Sequence, residues 1–339
     1  MTSKERFMSV IQGKTPDRVP VFPLLMEFAS SRFGANYRQF ASDGGVMAQS
    51  QLKMLDMFKI DAITACTDAF RITADLGAEM VFPDNKPPYS ARPLIKSRAD
   101  FERAKNKRPD ANDKTGRMYD RAKGVAEMAR SAGHSHMVLG WVDMPFAEAC
   151  SVCGVQDFLM MLYDEPGLAH DILDFLTGIV TDFALIQLDA GAAMTGAGDA
   201  AASLVSPELY REFVLPYEKR VTDAIHGRNS FVKLHICGNT AKLINDMIDC
   251  GADLYNVDHL VDFGYAAELY GKAGKAFKGN LDPVGDILQA KAPEEVCEKA
   301  RNLVRLAKGK KYMLSAGCEI PAAVSDEVFA AFCAAAGKG

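Results

Sequence analysis

The run Lys233-Leu-His235-Ile-Cys237-Gly238-Asn239-Thr240 sets an imidazole and a thiol two residues apart. In an extended segment that spacing points both side chains to one face, and Gly238 lets the chain turn directly beyond them. Such a pair is half of a zinc site. A third donor of matching type, Cys318, follows another short apolar segment in Ser315-Ala-Gly317-Cys318-Glu-Ile-Pro321. One imidazole nitrogen and two thiolates suit zinc, and three protein donors with one exchangeable position is the pattern of a catalytic rather than a structural site. The bland alternative makes the two cysteines small buried hydrophobes and His235 a hydrogen-bonded core histidine. Placement of all three at strand ends on one barrel face favours the metal.

Positioning them there requires a particular set of elements. Short apolar, β-branched segments run from Val19 to Leu25, Ile60 to Ala65, Met137 to Val142, Ala192 to Gly198, Phe231 to Ile236, Asp253 to Val257, Ala276 to Lys278 and Lys311 to Ala316. Amphipathic helical patterns lie between them: Gly44 to Phe58, Thr115 to Ser131, Glu165 to Ala190, Pro207 to His226, Thr240 to Cys250 and Pro293 to Ala307. Ser206-Pro207-Glu208 orders a cap residue, a first-turn proline and a first-turn acid. Eight strands alternating with helices predict an α/β fold, a single (β/α)8 TIM barrel, with a doubly wound open sheet as the alternative. A short N-terminal helical extension is expected, as is an elaborated loop over Phe82 to Asp113, after the second strand, where five prolines fall. No repeat or linker divides the chain, so residues 1–339 are expected to form one domain.

In such a barrel the chemistry sits just past the C-terminal strand ends. The polar residues there are Glu27, Asp68, Asp143, Asp199, His235 with Cys237, Asp258 with His259, Asn280 with Asp282, and Cys318. Asp199, Asp143 and Glu148 are candidates to orient a substrate or to hydrogen-bond His235, with solvated loop carboxylates or helix caps as the alternative. Asp282 before a proline favours a turn-forming role for the Asn280 pair. Cys150 and Cys153 have metal-like spacing but fall in a predicted helix without a partner pair, which favours core. His134 and His136 precede the third strand, at the opposite barrel end, and the helical methionines read as gap-filling core.

Composition narrows the function classes. Hydrophobic residues at 48% and charged residues at 24% describe an ordinary globular core and exclude disorder. A net charge of −5 offers no basic surface for phosphate backbones, so nucleic acid is not an expected partner. The start has no apolar signal segment, and Asp182 and Asp189 interrupt the most apolar helical run, so neither export nor a membrane span is expected and the cytoplasm is the default. There the eight cysteines should be mostly reduced.

His235-Ile-Cys-Gly-Asn-Thr240, Gly279-Asn-Leu-Asp-Pro283 and Gly317-Cys318 resemble segments of the zinc-dependent methylcobamide:thiol methyltransferases, members of the uroporphyrinogen decarboxylase superfamily. Trp141-Val-Asp-Met-Pro-Phe-Ala147, Asp164-Glu-Pro166 and the stretch from Asp199 to Phe213 extend the resemblance, which runs from about residue 3 to the C-terminus. It implies a (β/α)8 barrel with zinc on His235, Cys237 and Cys318, and Asp258 or His259 as an additional ligand or a partner to one. It further implies a corrinoid co-substrate and methyl transfer to a thiol, or from a methyl ether or methylamine in reverse. Gly238, Asn239 and Asn280 flank the ligands and are the candidate cofactor contacts. The chain has no Asp-x-His-x-x-Gly corrinoid motif, so the corrinoid is expected on a small, transiently docking partner protein. Where decarboxylases carry an arginine-containing stretch for substrate propionates, this chain reads Pro20-Val-Phe-Pro-Leu-Leu-Met-Glu-Phe-Ala29. Porphyrinogen decarboxylation is therefore the alternative, followed by zinc hydrolysis or elimination and by non-catalytic corrinoid or thiol binding.

Overall fold

The computed structural model describes residues 1–337. Seven strands form one curled parallel sheet in chain order: β1 Ala62–Thr64, β2 Met137–Asp143, β3 Met194–Gly198, β4 Phe231–His235, β5 Leu254–Asn256, β6 Ala276–Leu281 and β7 Tyr312–Ala316. All are buried along almost their whole length, which is why they read as apolar runs rather than alternating ones. The register sets one row across the sheet: Asp143 opposite Gly198, Gly198 opposite His235, His235 opposite Asn256, and Asn256 opposite Lys278. Functional side chains on different strands thereby share one level.

The expected eighth strand is the main correction. Residues 19–25 lie between the two edges of the sheet but form only two isolated bridges, Val21 to Leu314 and Leu24 to Glu319. The Phe22 amide donates to the Leu314 carbonyl at 2.9 Å, Leu314 donates to Pro20 at 2.8 Å, and Asp61 on the other side donates to Val21 at 2.8 Å. Pro20 and Pro23 have no N–H to give, so no regular ladder forms. The result is a seven-stranded half-barrel consistent with a TIM-like barrel, not a closed eight-stranded one.

The N-terminal helix Ser3–Ile11 starts on a Thr2–Glu5 capping box. It packs Phe7 and Val10 against Phe22, Met137, Leu139, Met194, Leu254 and Met313, filling the barrel at the N-terminal strand ends. The opposite end stays free for a site. The stretch 82–113 is more ordered than its prolines suggest: Tyr89–Ser90 pairs antiparallel with Met80–Val81, and Ser97 caps a helix at Arg98–Lys105. The predicted helix 207–226 breaks at Val214 into Pro207–Phe213 and Leu215–His226, because Pro216 removes an amide donor. Among the described residues no helix is long and apolar enough to cross a membrane.

Candidate metal centre

His235 ends β4, Cys237 stands two residues beyond it, and Cys318 follows β7. Their donor atoms lie within 4.8 Å of one another, and among the described residues no other His, Cys, Asp or Glu joins the group. Cys237 Sγ is 3.8 Å from Cys318 Sγ; His235 Nε2 is 3.7 Å from Cys318 Sγ and 3.0 Å from Cys237 Sγ. Tetrahedral zinc, with Zn–S near 2.3 Å and Zn–N near 2.0 Å, separates two sulfurs by about 3.8 Å and sulfur from nitrogen by about 3.5 Å. Two edges match and the third is about half an ångström short, so the donors fit the ion with a small outward shift of Cys237.

Protonation suits a metal set as well. Burial pushes the His235 pKa down, keeping the ring neutral with a free lone pair. A hydrogen bond from Cys237 lowers Cys318, with His235 adding to it, and the same bond raises Cys237. The pair thus gives up its first proton easily and its second with difficulty, until a cation arrives to hold two thiolates.

The surroundings brace this triangle. Gly238 has φ +92°, and a Cβ there would stand 3.2 Å from Ser203 Oγ, so glycine makes the turn that aims Cys237. Asp258 pins that turn by accepting from the Gly238 N–H at 2.9 Å and from Leu260 at 2.9 Å. His259 sits 3.1 Å from the Asp258 carboxylate through Nδ1. Neither belongs to the donor group, so Asp258 has the geometry of a supporting residue. Asn280 donates to the carbonyls of Asp258 and Val261 at 3.2 and 2.7 Å and ties β6 to the loop after β5. Asn239 is exposed, and its side chain accepts from the Ala241 N–H.

Sequence reasoning overlooked two lysines. Lys233 shares strand parity with His235 and Cys237, a signal that was available in the alternation. Its ammonium lies 4.6 Å from the Trp141 ring centroid, and burial lowers its pKa to about 8. Lys278 donates to the Phe22 carbonyl at 2.7 Å and to Ser315 Oγ at 3.1 Å. Glu319, beside Cys318, accepts from the Glu27 amide at 2.6 Å, and burial pushes it up to about 8.

A cavity of about 490 Å³ opens between Phe70, Asp143, Ala147, Cys150, Ala200 and Leu204, and none of the three donors lines it. Asp143 borders it from the end of β2, two strands from β4. The strand between carries Gly198, where a Cβ would stand 3.2 Å from an Asp143 carboxylate oxygen and 2.9 Å from the Trp141 ring. The absent side chain leaves that space to the Trp141 ring and the Asp143 carboxylate, and Asp143 and His235 stand in register on either side of Gly198.

The other two candidate carboxyls are buried away from the donor group. Glu148 is sealed within the helix Pro145–Cys153 with one oxygen unpartnered. Asp199 is fully buried, and among the described residues neither of its oxygens receives a hydrogen bond. Glu218 accepts from Tyr210, and its charge adds to burial in opposing ionisation of Asp199, so the two carboxyls resist being charged together. Burial pushes Asp143 and Glu218 up to about 7, and Glu148 and Asp199 well above their ordinary values.

These shifts set the sign of a stability change. The folded state holds its protons to higher pH than the unfolded chain, whose carboxyls titrate near 4, so stability falls as pH rises from about 4 to 8. Glu218→Gln keeps an acceptor for Tyr210 and removes one of the two buried charges. Its unfolding free energy should exceed that of wild type by about 2–3 kcal/mol at pH 8 and by little at pH 5. Urea titrations at both pH values test this, and an equal difference at the two would refute the raised titration of this pair.

Asp68, just past β1, is a hub rather than an open site residue. Its carboxylate takes Arg71 at 3.2 Å, Arg117 at 3.2 Å and Arg121 at 3.7 Å, together with the Thr67 hydroxyl at 2.7 Å. Burial would raise its pKa, but Arg117, Arg71 and Arg121 outweigh burial and hold it well below the usual range.

The family described as Uroporphyrinogen decarboxylase (URO-D) matches residues 2–338. The uroporphyrinogen decarboxylase of Chloroherpeton thalassium is 24% identical over 315 residues, 90% of this chain and 87% of that protein. The one from Nocardia farcinica is 28% identical over 289 residues, 82% and 79% of the two chains. Among solved structures, a methyltransferase from Methanosarcina mazei superposes with a TM-score of 0.84 at 20% identity, covering 99% of this chain and 98% of that one. A B12-independent methionine synthase from a Shewanella species gives 0.56 at 12% identity over 86% and 85%. The two structural likenesses are of fold.

Proposed function

The chain belongs to the uroporphyrinogen decarboxylase family, and from that premise we propose that it is a zinc-dependent methyltransferase moving a methyl group between a corrinoid and a thiol or another heteroatom substrate. The observation that carries the reading is the triangle of His235, Cys237 and Cys318, whose donor types and separations suit zinc with one position open. Zinc held there would act as a Lewis acid on the substrate sulfur or other heteroatom. His235 offers a neutral nitrogen, and Asp258 fixes the turn bearing Cys237. Asp143 lines the cavity, where its carboxyl accepts or shares a hydrogen bond with the substrate. Phe70, Ala147, Cys150, Ala200 and Leu204 wall the cavity with apolar surface and exclude water. The corrinoid arrives on a separate protein docking over the cavity mouth, where Tyr89, Val155 and Leu204 are exposed. The chain acts as one barrel domain in the cytoplasm.

The names of the curated relatives favour a second reading, porphyrinogen decarboxylation. A polycarboxylate substrate needs several converging free cations. Here Arg71, Arg117 and Arg121 are engaged by Asp68, and Arg92 is the lone cation lining the cavity.

The test is a visible-spectrum assay of methylcobalamin demethylation against a panel of thiols, then of cob(I)alamin against methyl ethers and methylamines. Saturable turnover lost on chelation and restored by zinc is expected in at least one direction. Zinc-loaded protein inert in both directions sinks the proposal, and anaerobic decarboxylation of a porphyrinogen would establish the second reading.

A further inference from the structure

A second cavity, of about 600 Å³, lies at the other end of the barrel, between the loop after the N-terminal helix and the chain around residues 304–312. Its lining carries six cations, Lys14, Arg18, Arg305, Lys308, Lys310 and Lys311, and no carboxylate. That concentration sits on a chain of net charge −5. Several surface arginines elsewhere are paired, as in Arg98 with Asp171, Arg108 with Asp182, Arg220 with Asp174 and Arg228 with Asp189. Among the described residues no carboxylate stands within 4.0 Å of Lys14, Arg305, Lys308, Lys310 or Lys311. Asp17, the nearest acid in sequence, is turned onto Arg6 at 2.6 Å.

The site is built rather than scattered. Asp61, fully buried, holds Arg18 through two hydrogen bonds of 2.8 and 3.0 Å. Lys311 lies against Gly13, where a Cβ would stand 2.9 Å from its Cε, so the two segments meet at the cavity. Val10, Val19, Val304 and Tyr312 supply an apolar wall beneath the cationic rim. Converging cations select phosphate charge, and an apolar wall with an aromatic ring selects a flat or apolar body. The volume suits a small molecule.

We propose that this cavity binds a small, multiply charged phosphorylated anion carried on an aromatic or apolar body, of nucleotide size. It lies on the face opposite the metal triangle and stands independently of the function proposed above. Isothermal titration of the full-length protein with ATP, pyrophosphate and adenosine as probes tests it. ATP should occupy one site at least tenfold more tightly than pyrophosphate, weaken as salt is raised, and leave adenosine unbound. Lys308→Glu with Lys311→Glu should weaken ATP more than tenfold at unchanged melting temperature, since neither side chain has an ionic partner to lose. Arg305→Glu should weaken it in the same direction, and Cys318→Ala should leave the isotherm unchanged. The proposal is overturned by absent saturation, by pyrophosphate binding as well as ATP, or by ATP affinity insensitive to charge reversal. Loss of ATP binding in Cys318→Ala, or tighter binding to phosphatidylglycerol vesicles than to ATP, overturns it as well.

Discussion

Cys318→Ala is expected to leave the purified protein with less than a tenth of the zinc found in wild type and to lower methyl transfer by at least about a thousandfold. Changing residues that merely support metal ligands costs about 10–100-fold in affinity or activity. Removing a direct donor leaves only His235 and Cys237, too few for a held tetrahedral ion. Zinc per chain by elemental analysis is the primary readout, because it reports on the donors whatever substrate is used. Cys297→Ala is the control: this half-buried thiol lies in the helix Pro293–Leu306, outside the donor group, and should keep full metal. Full zinc and full turnover in Cys318→Ala would remove the triangle from the mechanism.

The second large effect concerns the fold. Asp68→Ala should destabilise the protein by about 3–5 kcal/mol, the scale for leaving buried charge uncompensated. Arg71 and Arg121 are almost completely buried, and Arg117 is mostly so. Arg71 retains Asp120 at 2.9 Å and the Ala41 carbonyl, whereas Arg121 retains backbone carbonyls and the Thr67 hydroxyl but no carboxylate within 4.0 Å. Asp68→Asn should recover part of the loss by keeping an oxygen acceptor. Denaturant midpoints at constant slope measure both, and a loss under about 1 kcal/mol for Asp68→Ala would show that the arginines find compensation elsewhere.

Seven of the eight expected strands are present because buried parallel strands advertise themselves as apolar runs between helices. The eighth segment has the same composition, yet two prolines decide its backbone, and their weight against five apolar neighbours is visible only when the ladder is seen. His235, Cys237 and Cys318 were legible because donor type and strand-end position are local properties. Lys233 was equally legible by parity. Asp68 was not: Arg71 lies one helical turn away, but Arg117 and Arg121 come from another helix, and sequence does not say which carboxylate they will surround. Asp199 and Glu148 look like their exposed counterparts in sequence, and only burial distinguishes a substrate-facing carboxyl from one sealed against Glu218 or within a helix.

The seam between residues 19–25 and β7 has a consequence for how the protein is made. Val21 meets Leu314, and Leu24 meets Glu319, so early chain is joined to late chain at the place where Cys318 emerges. Contacts of such sequence separation form slowly. During synthesis His235 and Cys237 leave the ribosome well before Cys318, and the growing chain holds two donors of three. Metal capture should therefore coincide with sealing of the seam, as a last event of folding rather than a nucleus for it, and a zinc-sensitive fluorophore followed during refolding should respond only after the helical signal is complete.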